Sequence, residues 1–73
     1  MTPKEKFLTL MFKNDFINLL AKKIGLKPSS VNVMIYNESL TEHSKILNEL
    51  LDARLILDEK IRQINVDFEE VNG

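Results

Sequence analysis

The sequence predicts an all-α fold, three short helices followed by a long C-terminal helix. Three observations carry this. Apolar residues recur at spacings of three and four through most of the 73 residues, as they do along one face of a helix. Helix-start and helix-stop residues fall between those runs, at Thr2-Pro3-Lys4-Glu5, at Gly25 to Pro28 and at Ser39-Leu40-Thr41-Glu42. After Pro28 there is neither glycine nor proline until Gly73, so nothing interrupts the last helix.

In helix 1, Thr2 caps, Pro3 occupies the first position, where a missing N–H costs nothing, and Glu5 reaches back to complete a capping box. The helix is expected to run to about Phe12. Phe7, Leu8, Leu10, Met11 and Phe12 are too crowded for one narrow stripe, so a wide face must be covered; Met11 and Met34 read as core gap-fillers. A break follows, with Asn14 as a second cap and Asp15 favoured in the first turn by the helix dipole. One helix running straight through is the alternative. Helix 2 then covers about Asp15 to Ile24, with Phe16, Ile17, Leu20, Ala21 and Ile24 on its apolar side. Gly25 ends it in a left-handed conformation, Leu26 plugs the turn, and Pro28 opens helix 3, which runs to about Tyr36.

The Ser39 to Glu42 capping box starts helix 4 near Leu40 or Thr41. Leu47, Leu50, Arg54, Leu57, Ile61 and Ile64 alternate by threes and fours, an apolar seam broken by one arginine. Thr41 to Ile64 would span about 36 Å, so the helix either projects beyond the other three or bends near Asn65. In the tail, Ile64, Val66 and Phe68 alternate as in a strand, while Ile61, Ile64, Phe68 and Val71 continue the seam; a fraying helix is the reading taken. Ile46, Leu47, Leu50 and Leu51 are expected to lid the core. Beyond Ala53 so short a domain leaves Leu57, Ile61, Ile64 and Phe68 uncovered, and with Arg54 these are the dimer-interface candidates. Arg54 would pair with Asp58 or with a carboxylate of the other chain.

A domain of this length buries only about 60% of the surface its unfolded chain exposes. With no cysteine and one histidine, His43, self-association is the remaining route to added stability. The lack of cysteine fits a reducing compartment, and neither an export signal nor a membrane span is read, so a cytoplasmic protein without a membrane partner is expected. Net charge is −1, yet the charges are segregated. Residues 1–37 carry six lysines against two carboxylates, a balance of +4, and residues 38–73 carry four basic against nine acidic residues, a balance of −5. The chain is read as one domain, 1–73, with a basic reading half and an acidic half that lids the core, dimerises and offers a surface to a protein partner. A basic half attracts a polyanion while an acidic half keeps clear of it.

Two short helices crossing at a tight turn need a small residue where their backbones approach, and Ala21 supplies it. Gly25 makes the turn; Val31, Met34 and Ile35 face back toward Ala21 and Ile24. Residues Leu20 to Met34 thereby resemble the helix-turn-helix motif of bacterial and phage DNA-binding regulators, the Cro-like and repressor-like proteins, on Ala21, Ile24, Gly25, Leu26, Val31 and Met34. The resemblance implies a helix-turn-helix domain whose helix 3 enters the major groove of double-stranded DNA. It implies a small sequence-specific transcriptional regulator, a repressor type, acting as a homodimer on operator half-sites about 34 Å apart.

Ser29, Asn32, Val33 and Tyr36 would share the outward face of helix 3, with Asn32 suited to adenine and Val33 to a thymine methyl. Ser29, Ser30, Tyr36, Asn37 and the backbone amides at the helix start would donate to phosphates, and Lys22, Lys23 and Lys27 would supply charge. The reader has no arginine, and Lys27 stands where the family commonly has a Ser or Thr cap. An A/T-leaning site follows from the missing arginine fork.

Other readings stay beside this one. The same fold serves as a protein-docking module, which would make the chain a non-catalytic adaptor of a phage or mobile element, or a DNA-recognition subunit of a packaging or partition complex. The helix 2 lysines are also read as a solvated face, and Tyr36 as packing its ring on helix 4 with the hydroxyl in water. His43 has no second metal ligand near it and reads as a surface residue. The paired carboxylates Asp58-Glu59 and Glu69-Glu70 lack the dry pocket that acid–base work needs. With no nucleophile beside a base, no glycine-rich loop and no metal cluster, neither enzyme activity nor a cofactor is expected.

Overall fold

The computed structural model describes the backbone of residues 1–72 and the side chains of residues 1–67. Its elements are α1 (Pro3–Leu8), α2 (Lys13–Ile24), α3 (Pro28–Tyr36) and α4 (Ser44–Asn72), with no strand among the described residues.

Helix α1 starts as its sequence dictates: the Glu5 N–H donates to Thr2 Oγ1 at 3.2 Å, with Pro3 at the first position. It stops at Leu8, four residues short of Phe12. The Thr9 hydroxyl and N–H both turn back to the Lys6 carbonyl, at 2.7 and 3.2 Å, and such local bonds compete with helix continuation. The Met11 N–H, which a continued helix would give to Phe7, donates instead to the Asp58 carboxylate at 3.0 Å. Leu10 is buried in this connection, whereas Met11 and Phe12 are exposed, so Met11 is not a core residue. The break makes two helices, as the preferred reading had it. Asn14 is not the cap: α2 begins at Lys13, behind Phe12, with no side-chain cap bond.

At the far end of α2, Gly25 adopts φ 73 and ψ 30, and the Ala21 carbonyl accepts the N–H groups of Gly25 and Leu26 at 2.9 and 3.1 Å. Leu26 does not plug this turn; it stays 39% exposed. Helix α3 has the predicted bounds and ends in a similar way, with Glu38 left-handed at φ 57 and the Ser39 N–H donating to the Met34 carbonyl at 2.9 Å. The Ser39 to Glu42 capping box does not form. Asn37 Oδ1 takes both the Ser39 N–H, at 3.2 Å, and the Ser39 hydroxyl, Leu40 drops into the core, and α4 waits until Ser44.

Phe7 sits at the centre. Its ring meets Phe16 at 5.9 Å between centroids and Tyr36 edge-on at 5.8 Å, tying α1 to α2 and α3. Leu10, Ile17, Leu20, Ala21, Val31, Ile35, Leu40, Leu47 and Leu51 complete the buried cluster, with Ile24, Met34, Ile46, Leu50 and Leu55 packed around it. Tyr36 therefore packs its ring on Phe7 of α1. Among the described residues of α4, the buried positions are Leu47, Leu51 and Asp58; Leu57 and Ile64 are exposed and Ile61 half-buried. The tail continues as helix to Asn72, which rules out the strand alternation, while the Phe68 side chain lies outside the described residues. The helix is about 43 Å long, close to the longest extent of the molecule, 46 Å. The radius of gyration of 14.2 Å exceeds the roughly 11 Å of a compact chain of this length, so α4 projects. No described helix is long and apolar enough to cross a membrane.

Candidate functional site

Helix α3 is pinned by two residues one turn apart, Val31 and Ile35, which are 0% and 2% exposed. Fixing that side fixes the other. Ser29, Asn32, Val33 and Tyr36 lie on the solvent side, with Val33 58% and Tyr36 44% exposed. The strip is open to solvent except at Tyr36, whose ring packs on Phe7 of α1. Its composition is mixed: a hydroxyl, a carboxamide, a branched apolar side chain and an aromatic ring whose edge leans on Phe7.

Around the strip, Ser30 and Asn37 are also exposed, although the Asn37 side-chain carbonyl is occupied by Ser39. No side chain caps the start of α3, behind Lys27, and Ser29 and Ser30 in its first turn are exposed. Lys22 and Lys23 in the last turn of α2 are exposed, as is Lys27. None of these three makes an ion pair among the described residues. Elsewhere in the basic half Lys6 pairs with Asp52 at 2.9 Å, Lys13 keeps its charge while donating to the Leu10 carbonyl at 3.0 Å, and Lys4 of α1 makes no ion pair among the described residues. Three of the five lysines of that half left without an ionic partner among the described residues, Lys22, Lys23 and Lys27, lie at the α2–α3 turn.

Two acidic residues tie the helices together from outside the strip, in roles sequence reasoning did not give them. Asp15, at the start of α2, accepts from Arg54 of α4 at 2.5 Å; Arg54 thus pairs within its own chain and not with Asp58. Asp58 is 1% exposed and holds the α1–α2 connection through Met11. For Asp58 a signal existed, since position 58 lies seven beyond Leu51 and eleven beyond Leu47, on the same face of the helix. For the Arg54–Asp15 pair, 39 residues apart, there was none.

An apolar cleft of about 320 Å³ opens on another side, between the start of α1, the end of α3 and Leu47, and Ser29, Asn32 and Val33 do not line it. Among the described residues no group of three His, Cys, Asp or Glu side chains stands ready to hold a metal. No protein-family model, curated protein or solved structure matches the chain. The functional reading therefore stands on the geometry of the α2–α3 pair and its surface chemistry.

Proposed function

We propose that this protein is a small DNA-binding regulator of the helix-turn-helix kind, a homodimer in which α3 of each chain reads an operator half-site and α2 supports it. The carrying observation is the exposed strip Ser29, Asn32, Val33 and Tyr36 beside three lysines that make no ion pair among the described residues. In this role Asn32 pairs with an adenine edge and Val33 touches a thymine methyl. Lys22, Lys23, Lys27, Ser30 and the free amides of α3 hold phosphates and fix the helix in register. Regulation is by occupancy, without chemistry.

Fluorescence anisotropy on labelled duplex DNA at two salt concentrations tests this. Because each phosphate contact releases counterions, affinity should fall steeply with salt, with a slope of about −0.9 per contact in log–log form. A selection from random duplexes should return an A/T-leaning palindrome. Absence of binding even at low salt would remove the DNA reading and favour a protein ligand for the same strip.

A further inference from the structure

We propose that the homodimer assembles through antiparallel pairing of the projecting part of α4, with Lys60 of each chain beside the partner's Asp67. This deepens the dimer of the proposed function and rests on it.

Successive residues of a helix turn by about 100°. On that wheel Leu57, Ile61 and Ile64 fall within about 60° of one another, a stripe along the distal half of α4. Leu47, Leu51 and Asp58, the positions buried in the chain's own core, lie about 80–120° around from Leu57. The stripe thus runs beside the head domain instead of beneath it, which is why Leu57 and Ile64 remain 45% and 65% exposed. Leu47, Leu50, Arg54, Leu57, Ile61 and Ile64 follow the alternating steps of a coiled-coil seam. The proximal part of that seam is spoken for: Leu47 is buried, Leu50 packs on the core and Arg54 is held by Asp15. A partner helix has only the part from Leu57 onward.

Two in-register arrangements are available, and charge separates them. In a parallel pair Lys60 would flank the partner's Asn65 and gain no opposite charge there. In an antiparallel pair Ile61 packs on the partner's Ile64 and the converse, around a two-fold axis between positions 62 and 63. Positions 60 and 67 then meet along one flank twice over, each time as lysine and aspartate. Both residues are exposed, and both lie on the flank of the stripe opposite the head. Lys60 has no ionic partner among the described residues, and Asp67 only accepts from Gln63 at 3.2 Å.

The antiparallel two-fold runs across the helices, so both heads fall on the same side of the pair, with Leu51 and the partner's Leu51 about 35 Å apart along it. A parallel pair would set the heads level and on opposite sides. Two α3 helices reach a single duplex more directly from one side.

The native chain contains no cysteine, so single cysteines report orientation cleanly. Full-length chains carrying Ile61→Cys and chains carrying Ile64→Cys should give disulfide-linked dimers when mixed and little when oxidised separately. Homodisulfides in each separate sample, without the mixed species, would overturn the antiparallel pairing. If those variants dissociate, sedimentation equilibrium on charge variants decides. Lys60→Asp or Asp67→Lys alone should weaken the dimer about tenfold, since two attractive pairs become repulsive, and the double exchange should restore it. No restoration overturns the pairing but leaves a dimeric regulator standing. A monomeric native chain removes pairing and dimer together, while salt-dependent duplex binding by the same sample reports separately on the DNA reading.

Discussion

The Asp58 carboxylate, buried in α4, accepts the Met11 N–H at 3.0 Å across 47 residues of chain. This bond takes an amide that α1 would otherwise use to continue, so it helps to set both the end of α1 and the direction in which α2 leaves. Asp58→Ala leaves a partly buried N–H without its acceptor and a gap where a buried carboxylate was, and should destabilise the protein by about 2 kcal/mol, a fall in Tm of roughly 8–16 °C for a domain of this size. Asp58→Asn keeps an acceptor oxygen and should lose less than half of that. Thermal unfolding followed by circular dichroism checks both; equal losses would show that the charge matters, not the bond.

At Gly25, φ is 73 and an added Cβ would meet nothing within 4 Å. Space is free, and only the backbone conformation is disfavoured for other residues. Gly25→Ala should therefore cost about 1–2 kcal/mol, and Gly25→Asn less, because asparagine tolerates this region. Chemical denaturation measures the difference. Asn costing as much as Ala would mean that the loss does not come from the left-handed backbone.

Glu38 closes α3 in the same left-handed region, at φ 57, without being glycine. Glu38→Gly relieves that strain, partly offset by the greater freedom glycine has in the unfolded chain. The net gain should be about 0.5–1 kcal/mol, a rise in Tm of roughly 2–8 °C. Calorimetry checks it, and a lowered Tm would show that the Glu38 side chain contributes more than its backbone costs.

These sites also mark the limit of what the sequence makes legible. The Thr2 cap, the Gly25 turn, the bounds of α3 and the outward position of Ser29, Asn32, Val33 and Tyr36 follow from local rules, because each depends on residues within one or two turns. The end of α1, the start of α2 and the start of α4 do not. The first two are set by Asp58 reaching across from α4 and by burial of Leu10; the third is set by burial of Leu40 together with Asn37 capturing Ser39. Local propensity favoured a longer α1 and a cap at Ser39, and tertiary contacts overrode it. Arg54, read as an interface residue, is drawn to Asp15 by the same kind of long-range contact.

If α3 reads DNA, Asn32 and Lys23 should behave differently. Asn32→Ala should relax base preference at one position by about 1–3 kcal/mol. Lys23→Ala should weaken all sequences alike and reduce the magnitude of the salt slope by about 1. Anisotropy titrations on a selected site and on a single-base variant separate the two. Unchanged affinity and salt slope on Lys23→Ala would take the α2 lysines out of the interface.

The dimer is testable without DNA. Leu57 and Ile56 are neighbours on α4, 45% and 60% exposed, but a step of about 100° puts only Leu57 on the stripe. Leu57→Glu places a carboxylate in the interface twice and removes two buried leucines, each worth about 1.5–3 kcal/mol, so the dissociation constant should rise at least about hundredfold. Ile56→Gln removes the more exposed apolar side chain without placing a charge one turn before Lys60, and should leave it unchanged. Sedimentation velocity on both variants, with circular dichroism to confirm equal helix content, reads the result. Equal weakening by the two would mean that association follows general hydrophobicity of α4 and not one face of it.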